Sequence, residues 1–384
     1  MKVAYFSNQF SDIRGHGIAR YARELFESLQ ASRSSLEITP VSAWSGLDEQ
    51  ALGLLKAETG LHVLPWGRKV TPLAWTFLNA PKIESSLPKP VDLVHSVALG
   101  YPLATRKPFV VTVHDIGPLS HPEYFSPGTA IKSGLHTQVR IMKRSLAQMV
   151  RKADAIICVS QSTADELESY VGSTVADRIS VIHEGISPHF VTPPDDSGAQ
   201  LLNKLGIGDT PFILSAGAIS PRKNTLSIIK ALARLADVIP HHLVLVGGDG
   251  WSMEKVYEEL GSSAIADRVH LTGYVSDEQL KGLFGAASAY LHPSLYEGFG
   301  LTLLEAMAQG CPVVTSNVYS LPEVAGDAAL LVDPASVDEI ADAIEAVCTN
   351  DALAADLAAR GRERVKAFSW DDCAKGVIKV YQNL

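Results

Sequence analysis

Ala289-Tyr290-Leu291-His292-Pro293-Ser294-Leu295-Tyr296-Glu297-Gly298-Phe299-Gly300-Leu301-Thr302-Leu303-Leu304-Glu305-Ala306-Met307 runs from a short apolar stretch through a glycine-bearing loop into a segment free of Gly and Pro. It reads as strand, loop and helix. The same unit recurs outward in both directions. Downstream, strands are expected at Val313–Thr315 and Ala329–Val332; upstream, at Phe212–Ala216, His242–Val246 and Val269–Thr272. Short β-branched runs alternating with helical stretches are the pattern of parallel sheets with crossover helices, so the class is α/β.

The alternation also fills the first half, with strands expected at Val3–Ser7, Glu37–Val41, Leu93–Ser96, Phe109–His114, Ala155–Val159 and Ile179–His183. Helices are expected near Ile18–Gln30, Gly134–Ala153 and Ser162–Tyr170. Between the halves, residues 187–210 are rich in Pro, Asp and Gly and read as a linker. Val337 to Leu384 is rich in Ala, Leu and Glu and reads as helical, broken at Phe368-Ser369-Trp370. The expectation is two doubly wound Rossmann-like domains, residues 1–190 and 191–368, and a terminal helix, residues 369–384, packing back on the first. Ligands in open α/β sheets bind beyond the carboxyl ends of the strands, so the cleft between two such domains is the expected site.

Composition narrows the function. The 384 residues are 46% hydrophobic and 20% charged, which fits a folded globular chain and excludes disorder. The net charge of −9 is uneven: +2 over residues 1–190 and −11 over 191–384. Affinity for nucleic acid comes mainly from neutralising phosphates, so an acidic half argues against that partner. Only Lys132 to Lys152 is a notable basic run. Cys158, Cys311, Cys348 and Cys373 are widely spaced with no C-x-x-C pair, which suggests neither a zinc site nor a disulfide framework. The first residues turn polar too early for a signal peptide, and no apolar run approaches the ~18 residues of a membrane span. A cytoplasmic protein is expected.

Four loops carry more chemistry than a turn requires. In the opening stretch, Gly298 and Gly300 let backbone approach a ligand, and free N–H groups near Leu301 and Thr302 make the helix start an anion site. Glu297 precedes the glycines and Glu305 lies about one turn inside the helix, so two carboxylates border that site. An ionised carboxylate only accepts hydrogen bonds, and beside a phosphate it is tolerated most easily when it receives hydroxyls, which sugars supply. Alone, Glu305 reads equally as a helix-dipole partner and Glu297 as a solvated loop residue. Leu214-Ser215-Ala216-Gly217-Ala218-Ile219-Ser220-Pro221-Arg222-Lys223-Asn224 brings Arg222 and Lys223 to a helix start, where cations oppose the dipole unless an anion joins them; surface solvation is the plain alternative. His114 closes the apolar run Val110 to Val113, and His95 closes Val91 to Val94 as the blander of the pair. Gly15-His16-Gly17-Ile18-Ala19-Arg20 opens the first helix, but Arg20 stands where a dinucleotide fingerprint wants its third glycine, so NAD is disfavoured.

By these motifs the chain resembles the retaining nucleotide-sugar glycosyltransferases of family 4, whose architecture is GT-B. Glu297 to Glu305 is similar to the E-x7-E signature, and Ser320-Leu321-Pro322-Glu323-Val324-Ala325-Gly326-Asp327 is similar to the loop that follows it. The resemblance implies that Glu297 holds donor-sugar hydroxyls, Glu305 the ribose, and Lys223 with Arg222 the diphosphate. His114 would contact the transferred sugar and Gly17 would lie beside the diphosphate. Tyr274 and Val275 would meet the base, and Gly298, Phe299, Gly300, Leu301 and Thr302 would line the donor. Ala218 stands where many members carry an arginine, which leaves the second charge to Arg222 or absent. No metal or other cofactor is implied, and there is no Asp-x-Asp motif. Front-face attack needs no enzymic nucleophile, and none is assigned.

The form Ser-Pro-Arg-Lys-Asn with Ser320 to Asp327 looks most like mannosyltransferases of bacterial surface polysaccharides. It implies GDP-mannose as donor and a glycan or lipid-linked acceptor, with a UDP-sugar as the rival donor. Family members often dock on the inner membrane, and the run Lys132 to Lys152 could serve, as could a face marked by Trp66, Trp75 and Phe77; a solvated helix packed on the sheet is the competing reading. The other classes are an epimerase or sugar phosphorylase of similar build, and a sugar-nucleotide-binding protein without catalysis.

Overall fold

The computed structural model describes residues 1–11, 17–32, 36–100, 102–125, 135–248, 250 and 253–384. The backbone clusters into two compact units. Met1–Leu119, Gly134–Gly185 and Ser369–Leu384 form the first; Ser120–Ser133 and Ile186–Phe368 form the second.

The first unit holds a seven-stranded parallel sheet: β1 (Lys2–Phe6), β2 (Glu37–Ser42), β3 (His62–Val63), β4 (Leu93–Ser96), β5 (Phe109–Val113), β6 (Ala155–Cys158) and β7 (Ile179–Val181), in the spatial order β3-β2-β1-β4-β5-β6-β7. Strands covered on both faces read as continuous apolar runs, and all five residues of β5 are buried. The helix Gly17–Ala31 buries Ala19, Tyr21, Ala22, Leu25, Phe26 and Leu29, an apolar stripe at helical spacing. It packs against the terminal helix Trp370–Gln382. Before that helix Phe368 is extended, and the Ser369 side chain caps it by accepting from the Asp372 amide at 3.0 Å.

The expected strands are all present, with ends shifted by one or two residues. Ser7, His114, Val159 and His183 fall just beyond their strands, because the chain turns into loops there. The strand β3 and the helices Glu49–Thr59 and Gly67–Leu73 were not anticipated.

The second unit holds six parallel strands: β8 (Phe212–Ala216), β9 (His242–Val246), β10 (Val269–Gly273), β11 (Ala289–His292), β12 (Val313–Ser316) and β13 (Ala329–Val332), in the order β10-β9-β8-β11-β12-β13. The stretch read as a linker is instead structured. Pro188–Val191 and Ser197–Lys204 are helical, Phe190 is fully buried, and a Cβ on Gly198 would lie 2.6 Å from the Gly282 carbonyl carbon. Pro188 and Asp196 look like turn formers in sequence, but they stand at helix starts, where both residue types are favoured.

Strand order reverses at β1/β4 in the first sheet and at β8/β11 in the second. Such switch points open a crevice at the carboxyl ends of the flanking strands. No helix among the described residues is long and apolar enough to cross a membrane.

Candidate active site

The loops that leave β8 and β11 meet at the second sheet's switch point. From β8 the chain turns at Gly217 (φ 132°) and enters a 3-10 turn, Pro221–Lys223. A Cβ at Gly217 would stand 2.8 Å from Lys223 Cε, so the glycine leaves room for the lysine side chain to lie over it. Asn224, left-handed at φ 58°, donates from its amide to the carbonyls of Pro293 (3.0 Å) and Pro334 (2.7 Å). The Leu295 amide donates to the Arg222 carbonyl at 2.8 Å. These bonds fix the two loops to each other.

Glu297 is the centre of the cluster. Its Oε2 lies 2.6 Å from Arg222 Nη1, and its Oε1 lies 2.8 Å from Lys223 Nζ and 3.2 Å from His292 Nε2. Burial pushes the Glu297 carboxyl up, but Arg222 and Lys223 outweigh it and hold the group well below the usual carboxylate range. Burial lowers Lys223, with the Arg222 charge adding to it, while Glu297 opposes. Two cations share the Glu297 carboxylate, and Glu305 lies close enough to raise the Lys223 pKa as well. Among the described residues, no group of three His, Cys, Asp or Glu side chains could hold a metal ion.

Sequence reasoning missed His292. It is 2% exposed, and burial, followed by the nearby Lys223 charge, lowers its pKa to about 4, so the ring is neutral at pH 7. Tyr290 Oη lies 2.9 Å from its Nδ1. His292 Nε2 faces Glu297 Oε1 at 3.2 Å, and Tyr290 Oη also lies 3.4 Å from the Ala216 carbonyl. Adjacency to Glu297, five positions further along the chain, was the available signal.

Beyond Glu297, Ser320 Oγ lies 2.9 Å from the carbonyls of both Glu297 and Phe299, which pins the loop through Gly298. Gly300 caps the helix Leu301–Ala308 with φ 116°. Thr302 hydrogen-bonds Tyr290, and Glu305, 2% exposed, lies one turn inside the helix. At the ends of β10, β9 and β8, Gly273, Gly247 and Gly217 form a floor of bare backbone: the Gly247 amide donates to Gly273 O at 2.9 Å, and a Cβ on Gly247 would fall 2.0 Å from Gly217 O. Tyr274 stands 61% exposed past that floor and Val275 is buried.

Ser120–Phe125 joins the second unit. His121 Nε2 lies 2.8 Å from Tyr319 Oη and its ring lies 5.4 Å from that of Tyr296, while the Phe125 ring lies 5.7 Å from Arg222 Cζ. Nothing in the local sequence marks this segment for that unit.

In the first unit, His114 is buried with Nδ1 2.9 Å from Glu184 Oε1 and Nε2 2.9 Å from Val97 O. Burial lowers its pKa, but Glu184 and the Val97 carbonyl reverse the effect and raise it above 6.5. Both ring nitrogens face acceptors, as a charged imidazolium requires. Glu184 is a second residue that sequence reasoning missed. His95 is the bland histidine: it is fully buried between Tyr381 and Thr112, and burial pushes its pKa down to about 3. Gly17 begins its helix, and among the described residues a Cβ there would meet nothing within 4 Å. Gly15, His16 and Lys132 lie outside the described residues.

The basic run forms the helix Leu135–Lys152, which buries Leu146, Met149 and Val150 and exposes Arg140, Met142, Lys143 and Arg144. Trp75 is wholly buried and Trp66 packs on the core, which corrects their reading as surface markers; Phe77 is 62% exposed, with Arg144 over its ring.

Residues 15–190 match the sequence profile "Glycosyltransferase Family 4" and residues 199–364 match "Glycosyl transferases group 1". The O-antigen chain mannosyltransferase B of Escherichia coli is 30% identical over 376 residues, 96% of each chain. The MMP alpha-(1->4)-mannosyltransferase of Mycolicibacterium hassiacum is 32% identical over 61% of this chain and 55% of its own. Among solved structures, Anabaena HepE in complex with UDP-glucose superposes with a TM-score of 0.75 at 20% identity, covering 100% of both chains.

Proposed function

The chain belongs to the family 4 glycosyltransferases, and from that premise we propose that it transfers mannose from GDP-mannose, with retention, to a hydroxyl of a glycan or lipid-linked acceptor in surface polysaccharide synthesis. The fold is GT-B, and the protein is a glycosyltransferase. The observation that carries the reading is the sharing of Glu297 by Arg222 and Lys223 at the β8/β11 switch point. The mannosyl assignment draws on the relative that matches end to end, a mannosyltransferase.

In the proposed reaction the donor diphosphate replaces Glu297 as a partner of Arg222 and Lys223, and the glycine floor lets it come close. Glu297, held ionised, accepts hydrogen bonds from donor-sugar hydroxyls, and Glu305 accepts from the ribose. As the bond from C1 to the diphosphate oxygen breaks, positive groups already in place stabilise the departing charge. The acceptor oxygen bonds to C1 on the same face, and a leaving phosphate oxygen takes its proton. No metal enters the scheme. The measurement that tests the donor is the melting-temperature shift with GDP, UDP, ADP and NAD⁺ at equal concentration, because a ligand selective for the native state stabilises it. A selective shift with GDP supports the reading. One with UDP moves the donor to a UDP-sugar, and one with NAD⁺ alone overturns it.

A lipid-linked acceptor on the cytoplasmic face of a membrane is supported by a surface of the first unit. Val70, Leu73, Phe77 and Leu78 are 60% to 74% exposed, and Arg144 lies over the Phe77 ring. Apolar side chains rimmed by cations suit an anionic lipid surface. Sedimentation with vesicles containing phosphatidylglycerol, but not with pure phosphatidylcholine, is expected, with loss of binding in a Leu73→Ser/Phe77→Ser double variant.

A further inference from the structure

A short piece of chain from the first half of the sequence, Ser120–Phe125, packs in the second unit, and its rings gather around Tyr296. His121 is the centre of this group. Its Nε2 lies 2.8 Å from Tyr319 Oη and its Nδ1 lies 3.5 Å from Glu123 Oε1. Its ring stacks on that of Tyr124, 5.5 Å between centroids with 17° between planes. The rings of Tyr296 and Tyr319 each lie 5.4 Å from it and 4.6 Å from one another. Phe125 meets the Tyr296 ring edge-on at 5.8 Å and stands 5.7 Å from Arg222 Cζ. Tilted and edge-to-face pairs at such separations stabilise beyond the area they bury.

Two features tie this group to the site. Tyr296 immediately precedes Glu297, and Tyr319 immediately precedes Ser320, whose hydroxyl lies 2.9 Å from the carbonyls of Glu297 and Phe299. The two tyrosines that His121 contacts therefore adjoin the residues that set the course of the Glu297 loop. Tyr319 is also left-handed, at φ 55°, a conformation that is costly for a bulky residue and persists where its surroundings hold it. The His121 nitrogen and the Tyr296 ring supply that hold.

We propose that His121 is a positioning residue for Glu297, acting through the Tyr319 hydroxyl and the Tyr296 ring. The inference rests on the glycosyltransferase reading and deepens it, because it names what aims the carboxylate once the donor is bound. In the chain alone, Arg222 and Lys223 hold Glu297 by its two oxygens. In the proposed reaction both cations turn to the donor diphosphate, and the direction of the carboxylate comes to depend on the backbone of its own loop. That backbone is set at Tyr296 and Ser320. A misplacement of about 1 Å at a group that orients substrate can cost about 10²-fold in rate, so loosening this strut acts on turnover. Binding of the nucleotide diphosphate is spared, since it lacks the sugar that Glu297 would hold.

The test uses His121→Phe and Tyr319→Phe in the full chain, which keep the rings and remove the hydrogen bond. Each should lower kcat for mannosyl transfer about tenfold, while the melting temperature and the GDP-induced thermal shift stay near wild type. The double variant should fall less than about twofold below either single one, because both changes remove the same bond. His121→Gln, which keeps a hydrogen-bonding nitrogen, should stay within about threefold of wild type. In a Glu297→Gln background, His121→Phe should cost less than about twofold, as expected of a residue that acts through Glu297. A kcat unchanged in both single variants, or a full loss added to that of Glu297→Gln, overturns the proposal. Hydrogen exchange of the amides from Tyr296 to Gly300, read without donor, should quicken in both variants; unchanged exchange overturns the proposal whichever sugar the donor carries. A wild-type chain that does not transfer from GDP-mannose refutes the donor reading instead, and the exchange result then decides the role of His121.

Discussion

Lys223 Nζ and His292 Nε2 converge on a single oxygen of Glu297, at 2.8 and 3.2 Å. One partner is a cation and the other a buried imidazole that burial keeps neutral. The carboxylate is thereby fixed in charge as well as direction.

Glu297→Gln and Lys223→Ala should each lower transfer at least about tenfold, and up to about 10²–10³-fold if the group acts on transition-state charge. A melting temperature close to wild type shows that the fold survives. Unchanged rates in both variants would sink the site assignment.

Arg222→Ala should weaken GDP binding, since Ala218 leaves no other arginine in the β8 loop. The readout is the GDP-induced thermal shift. If it is undiminished, Arg222 serves only to clamp Glu297 and the Tyr296 carbonyl, which it reaches at 2.6 and 3.0 Å.

The pair His114–Glu184 carries a definite pH dependence. Because the folded pKa of His114 is raised, the pair's contribution to stability is complete below the unfolded value of about 6.5 and is lost as pH rises through the folded pKa. NMR titration of the His114 ring should find more than half of it protonated at pH 6.5. In Glu184→Gln, burial dominates and less than half should be protonated at that pH. A neutral ring in the wild type would refute the assignment.

Transfer should survive EDTA, because Arg222 and Lys223 are proposed to supply the charge that a metal would otherwise bring. Loss of activity on chelation, restored by Mg²⁺ or Mn²⁺, would overturn this.

Gly198→Ala places a Cβ 2.6 Å from the Gly282 backbone and should cost about 3 kcal/mol of stability, in the range of overpacking. Chemical denaturation measures it. The GDP thermal shift should remain, because the change lies far from the donor loops in sequence and touches only the helix Asp277–Ala286.

What the sequence disclosed follows from locality. The strand Phe109–Val113 and the loop from Glu297 to Glu305 announce themselves through contiguous residues, so both sheets and most of the charged cluster were legible. The two-residue β3 is too short to show a period. Pro188 and Asp196 hid two helices because the residues that start helices also make turns. Glu184 lies 70 residues from His114, and His121 lies 198 from Tyr319; such pairings are set by tertiary packing and leave no local trace.

The terminal helix Trp370–Gln382 places Tyr381 2.6 Å from His95 and buries Cys373, Val377 and Tyr381 in the first unit. A nascent chain therefore cannot close that unit's core when its own strands emerge from the ribosome; it must wait until the intervening residues have been made. Synthesis order and folding order are reversed here: the second unit, synthesised later, can consolidate first, and the unit containing the N-terminus is the last to be sealed.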